Sequence, residues 1–152
     1  MVFDDGHYYL AAGFPTHHVM AIRADGKGDV SGTHVAWHVD KHVRCYVPSP
    51  VLLDGRLYVA DDRGTGSCFL GEDGERVWQG RLSGGFSSSL VATSEYVLFV
   101  DNAGVTKIVK PADELQVVAE NPLGEECRAS PGLSEGSIYL RGVKHLYCIR
   151  AE

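Results

Sequence analysis

Six histidines crowd the first third of the chain: His7, His17, His18, His34, His38 and His42. Imidazole is the commonest metal ligand and titrates near neutral pH, so the cluster invites a metal or proton-handling reading. A metal site needs several ligands converging on one point. His34, His38 and His42 share a face only on a helix, and HVAWHV alternates as a strand does. That alternation puts Val35, Trp37 and Val39 on one side and His34 and His38 on the other. The sequence therefore predicts exposed or edge histidines with a weak pH response. Cys45, Cys68, Cys127 and Cys148 stand apart, with no adjacent pair and no CxxC. Cys68 and Cys148 lie in apolar runs and read as buried thiols acting as small hydrophobes. Ser87, Ser88 and Ser89 follow Gly84-Gly85 without the pattern of a nucleophile elbow. The carboxylates Asp61-Asp62, Asp101 and Glu125-Glu126 recur near the ends of strand-like runs. They suit either a cation or the protection of strand edges, and the second is favoured.

The elements that carry these residues come from an ordinary globular composition, 44% hydrophobic and 22% charged over 152 residues. A chain of this length can bury roughly 68–70% of its unfolded surface without metal or disulfide support. Net charge is -6, with a pI near 5.6. A nucleic-acid binder needs a basic face to displace phosphate counterions, so no nucleic-acid partner is expected. No apolar run approaches the ~20 residues of a membrane helix, and a soluble chain without a membrane span is expected. The opening MVFDDGHYYL lacks the basic and apolar regions of an export signal.

An internal repeat organises the chain. Ser49-Pro50, Ser89-Leu90 and Ser130-Pro131 recur at steps of 40 and 41. Tyr58, Leu98 and Tyr139 centre the next runs at the same steps, and Gly64 and Gly104 follow 40 apart. SCFL, TKIV and LYCI form a third set, and RVWQGRL and LQVVAENPL a fourth, with Trp78 and Val118 in register. Trp37 lies 41 before Trp78. YYLAAG and HHVMAIR then take second and third place, with extra residues in RADGKGDVSGTH lengthening one hairpin loop. Each run is short, rich in Val, Ile, Leu, Tyr and Phe, and bounded by Gly, Asp or Ser. Asp25-Gly26, Asp54-Gly55 and Asp73-Gly74 supply the positive φ values of primed hairpin turns. No segment keeps an apolar 3.6-residue period; PADELQVVAENP comes nearest and is flanked by prolines.

Four short antiparallel strands per ~40 residues mark a propeller blade, a sheet that buries its faces against its neighbours. The fold class is all-β: about four blades of four antiparallel strands, the first and last incomplete. The expected blades are 6–40, 47–84, 88–121 and 129–150. The N-terminal blade is expected to lack its first strand and the C-terminal blade its fourth, giving fourteen strands.

SPVLLDGRLYVADDRGTGSCFLGEDGERVW resembles a repeat of the quinoprotein-like (PQQ-repeat) β-propellers. Those repeats read S-P-hydrophobic-DG-hydrophobic-Y, then G-x-hydrophobic, then D-x-x-G-x-x-x-W. ENPLGEECRASPGLSEGSIYLRGVKHLYCI is similar to a closing repeat of the non-enzymatic branch. Residues 6–150 carry the resemblance. It implies that Trp37 and Trp78 pack between blades. It makes Gly74, Ser49, Pro50, Ser130 and Pro131 positions of the structural repeat. Val118 stands where a third tryptophan would fall. By fold analogy Arg44, Arg128 and Arg141 face a central channel, and the resemblance implies an exported or periplasmic parent.

The family's enzymes use adjacent cysteines, a calcium-held quinone and an Asp base, and the chain has no adjacent cysteines. No catalytic, cofactor-binding or metal residue is therefore assigned, and neither PQQ nor calcium is expected. The function expected is a non-catalytic binding or assembly scaffold, with a fragment of a quinone- or metal-dependent oxidoreductase as the alternative. Four blades with open ends predict a homodimer closed into an eight-blade ring, or else the missing blades of a longer chain.

Overall fold

A computed structural model describes residues 1–150, and its described residues form fifteen strands in four antiparallel sheets. Each sheet is a meander whose strands lie in chain order. Blade 1 contains β1 (Val2–Asp4), β2 (His7–Ala12), β3 (His18–Arg23) and β4 (Val35–Val39). Blade 2 contains β5 (Val51–Leu53), β6 (Arg56–Ala60), β7 (Thr65–Leu70) and β8 (Arg76–Arg81). Blade 3 contains β9 (Val91–Ala92), β10 (Val97–Val100), β11 (Val105–Lys110) and β12 (Gln116–Pro122). Blade 4 contains β13 (Gly132–Ser134), β14 (Ser137–Arg141) and β15 (Leu146–Arg150).

The expectation that the N-terminal blade lacks a first strand is corrected. Val2, Phe3 and Asp4 pair with Tyr9, Tyr8 and His7 as β1. β1 is no shorter than β5 or β13, but it lacks the serine entry that marked the other first strands in the sequence. Its turn, Asp5-Gly6 at φ 41° and 72°, repeats the geometry of Asp54-Gly55 at 51° and 69°. The primed turns expected at the other two Asp-Gly pairs are corrected: at Asp73-Gly74 only the glycine has positive φ, and at Asp25-Gly26, in the longer hairpin loop, neither residue does. PADELQVVAENP, the nearest approach to a helical pattern, is mostly β12.

The middle blades are buried on both faces, which is why their second strands read as unbroken apolar runs. Leu57, Val59 and Phe69 join Tyr9, Val19, Ala21 and Trp37 in the core between blades 1 and 2. Tyr58, Ala60, Cys68 and Trp78 face the other way, onto Val97, Phe99 and Val109 of blade 3. Burying a side chain such as Phe69 fully contributes about 1.5–3 kcal/mol. The core between blades 3 and 4 is smaller: Val100, Cys127 and Leu140, with Leu123, Ile138 and Tyr147 beside them.

The first strands lie side by side, β1 against β5 and β5 against β9. The recurring serines link their entries. Ser49 N donates to Ser89 Oγ at 3.0 Å, and Ser89 N donates to Ser130 Oγ at 2.9 Å. Leu90 N also donates to the Ser49 carbonyl at 3.2 Å. The 40- and 41-residue steps are thus hydrogen-bonded contacts between neighbouring blades. Pro50 and Pro131, which have no N–H to place, are buried beside them.

Candidate functional site

Because every sheet is a meander, the β2–β3-type turns and the links between blades share one rim of the assembly. On that rim the acidic recurrences have a structural use. Asp61 Oδ1 accepts from the amides of Arg63 at 2.9 Å and Thr65 at 2.8 Å. Asp101 Oδ1 accepts from Val105 N at 2.8 Å in the equivalent turn of blade 3. Both carboxylates fold a hairpin turn, as Asp side chains do when they bond the backbone two to four residues on.

Blade 4 has Gly142 at the equivalent place, and Glu125 from the preceding link supplies the missing carboxylate. Its oxygens accept from Lys144 N at 2.7 Å, His145 Nδ1 at 3.0 Å and Tyr147 Oη at 2.7 Å. The side chain of Glu125 is 11% exposed. Hydrogen bonding, first from Tyr147 and then from Lys144 N and His145, holds its carboxyl down at about 2 against an ordinary 4.5. A depressed carboxyl contributes stability that is full above pH ~4.5 and is lost as pH falls toward 2. Glu125→Gln is expected to flatten this acid-side loss. The check is hydrogen-exchange protection of the Lys144 and His145 amides across that window, in both proteins. An unchanged acid profile in the variant would remove Glu125 as its source.

At the first blade junction Trp37 Nε1 donates to the Gly71 carbonyl at 2.7 Å. Its indole lies on Gly74, where an added Cβ would come within 2.6 Å of the ring. Trp78 packs between blades 2 and 3, but its Nε1 is buried with no acceptor among the described residues. Val118 is 51% exposed.

The histidines do not converge on one point. His7 Nδ1 lies 2.9 Å from the Asp5 carbonyl, His34 Nε2 lies 3.4 Å from Asp25, and His17 Nδ1 lies 3.1 Å from the Cys45 carbonyl. His18 and His38 do meet, Nδ1 to Nε2 at 2.8 Å. They belong to adjacent strands, and only the pairing register brings them together. No group of three His, Cys, Asp or Glu side chains stands placed to hold a metal among the described residues. Cys45, Cys68 and Cys127 are buried in separate places. The expectation of a buried Cys148 is corrected: it is exposed on β15, the outermost strand of blade 4 among the described residues. Burial pushes the Cys45 thiol up to about 12 and the Cys68 thiol up to about 11. Thiols so raised are poor nucleophiles at neutral pH. These residues do not fit a calcium-held quinone with a cysteine pair, and no redox step is derived from them.

The three arginines expected at a channel occupy different places. Arg128 lies 3.8 Å from Glu126 and lines a groove beside blades 3 and 4. Arg141 ends β14 and donates from Nε to the Gly142 carbonyl at 2.9 Å. Arg44 lines a larger hollow of about 560 Å³ where blades 1 and 2 meet. Phe14, His17, Tyr46 and Arg63 share that wall. A second hollow of about 380 Å³ continues from Arg44 and Arg63 to Arg81. Sequence reasoning missed this groove, although Phe14-Pro15 in place of an Asp-x-x-Gly turn marks one of its sides.

No family model and no curated protein matches the chain. Among solved structures, BamB from Moraxella catarrhalis superimposes with a TM-score of 0.74 at 15% identity. The match covers 95% of this chain and 42% of that one. A europium-containing methanol dehydrogenase superimposes at 0.56 and 12% identity, over 70% of this chain and 21% of that one. The fold is that of the PQQ-repeat β-propellers. At these identities the likeness bears on fold alone. This propeller chain spans less than half the length of either neighbour. Among the described residues of the propeller no helix is long and apolar enough to cross a membrane.

Proposed function

We propose that the chain is a non-catalytic binding or assembly scaffold, and that a second copy joins it head to tail into an eight-blade ring. One observation carries this reading. Tyr8, Leu10 and Ile22 of blade 1 occupy the places that Leu57, Val59 and Phe69 hold in blade 2. Those three are at most 2% exposed beneath blade 1, whereas Tyr8 is 38% exposed and Phe3 beside it 58%. At the other end Tyr139 and Cys148 pair across strands as Tyr58 and Cys68 do, and Tyr139 is 40% exposed. Each end thus carries half of a blade junction, and the two halves are of opposite kind. A self-complementary pair of such ends closes by two-fold symmetry.

A second occupant is also favoured by an observation: the chain covers only 42% of its BamB neighbour, as a piece of a longer propeller would. Light scattering on a sizing column, over a hundredfold range of concentration, separates the two. The ring predicts a stable mass near twice 16.5 kDa, returned to the monomer by Tyr8→Glu. A monomer throughout overturns the ring and leaves further blades of the same chain to cover these faces. The scaffold needs no cofactor. Incubation with quinone and calcium followed by desalting is expected to leave no quinone absorbance, and retained absorbance would restore the oxidoreductase reading.

A further inference from the structure

We propose that the groove between blades 1 and 2 binds an acidic peptide segment carrying an aromatic side chain, with the Arg44 and Arg63 guanidiniums on its carboxylates and Phe14 and Tyr46 against its ring. This gives the scaffold a partner, and its test does not depend on ring closure.

Departure from the repeat locates the site. In blades 2 and 3 the turn after the second strand is Asp-x-x-Gly, bonded to its own backbone by Asp61 or Asp101. Blade 1 has Gly13-Phe14-Pro15-Thr16 there instead, with Phe14 76% exposed. The link from blade 1 to blade 2 departs as well. Measured back from the repeated serines, Tyr46 corresponds to Phe86 and Cys127, which are 1% and 0% exposed, yet Tyr46 is 57% exposed. Both departures place an aromatic ring in solvent, and the rings meet, centroids 5.6 Å apart and tilted by 50°. Insertions that break a repeat collect on the face that binds. Two solvent-facing rings side by side suit a ligand's apolar side chain.

The charges choose the ligand. Arg23, Arg56 and Arg128 each stand within 4.0 Å of a carboxylate. No described carboxylate lies within that distance of Arg44, Arg63 or Arg81, although the chain carries 20 acidic residues against 14 Lys and Arg. Asp61 is turned to the backbone of its own hairpin. Asp62 also lines the hollow, and His17 has its Nδ1 on the Cys45 carbonyl. Arg81 Nε donates to the Ser83 carbonyl at 2.6 Å. The groove therefore offers Arg44 and Arg63 as free planar donors beside one exposed acid, and a guanidinium fork matches a carboxylate with two parallel bonds. A basic peptide would meet these arginines with like charge.

The test is fluorescence anisotropy of a labelled peptide of Asp, Glu and Phe, against the same peptide with Lys at the acidic positions. The acidic peptide is expected to bind, the lysine peptide not to, and added salt to weaken the complex. Arg44 and Arg63 are exposed, so Arg44→Ala with Arg63→Ala leaves the fold intact by circular dichroism. It should lower affinity about tenfold, as two exposed charge pairs would. Phe14→Ala with Tyr46→Ala should weaken the acidic peptide while leaving its salt dependence in place. Equal binding of both peptides, or an arginine variant with wild-type affinity, overturns the proposal. Complete displacement of the peptide by inorganic phosphate at equal concentration would also overturn it, because the rings would then contribute nothing.

Discussion

Trp37→Ala is expected to destabilise the chain by about 3–5 kcal/mol, the usual cost of truncating a buried tryptophan. The residue is 8% exposed and sits in the core that joins blades 1 and 2. Its ring meets Tyr9 at 6.2 Å and rests on Gly74, and its Nε1 donates to the Gly71 carbonyl. Truncation empties the junction and removes that bond together. Because blades touch only their neighbours, the loss should appear as early detachment of blade 1 rather than a uniform shift. Urea unfolding followed by far-ultraviolet circular dichroism should therefore acquire a first, lower transition. A companion pair separates ring from hydrogen bond. Trp37→Phe should cost about 1 kcal/mol more than Trp78→Phe, since the Trp78 Nε1 has no acceptor to lose. Equal costs for the two Phe variants would show that the bond to Gly71 contributes nothing to the junction.

Gly64→Ala and Gly104→Ala should each cost about 3 kcal/mol or more, through two effects that add. The backbone is left-handed at both positions, φ 97° and 82°, and a side chain there costs about 1–3 kcal/mol. The space is also closed. A Cβ at Gly64 would lie 2.1 Å from the Ser83 carbonyl oxygen, and one at Gly104 would lie 1.9 Å from that of Glu125. Those contacts are to backbone of the link leading to the next blade, which a side-chain rotation cannot relieve. The same link is held by Leu82 N on the Gly64 carbonyl and Leu123 N on the Gly104 carbonyl, at 2.8 and 2.9 Å. Gly55→Ala is the control: φ is 69° and nothing lies within 4 Å of the added Cβ. It should show the backbone strain alone, about 1 kcal/mol by thermal or urea unfolding. If all three variants melt together, the close approach of turn and link has no energetic weight.

These effects explain which sequence signals could be read. The 40-residue step of Gly64 and Gly104 is visible because each copy of the turn must admit the same backbone. The serine step is visible because Ser49, Ser89 and Ser130 bond one to the next. Trp37 and Trp78 recur because the first two blade junctions each take a large side chain at the same place. Such constraints are local or periodic, so one chain displays them without its partners.

What the sequence by itself determined is the all-β class, the repeat, the turn positions and the blade count, because a repeated packing problem enforces repeated residues. What only the tertiary structure decided depends on register and on neighbours distant in the chain. β1 was hidden because no repeated serine entry precedes it, and pairing with β2 makes it a strand. His18 and His38 meet through the pairing of β3 with β4, 20 residues apart. Glu125 replaces a missing turn aspartate from a different segment, 22 residues before Tyr147. The groove of Phe14, Arg44, Tyr46 and Arg63 draws on two links and two blades. Strand periodicity records which way each residue points; it does not record what stands opposite, and sites are made of what stands opposite.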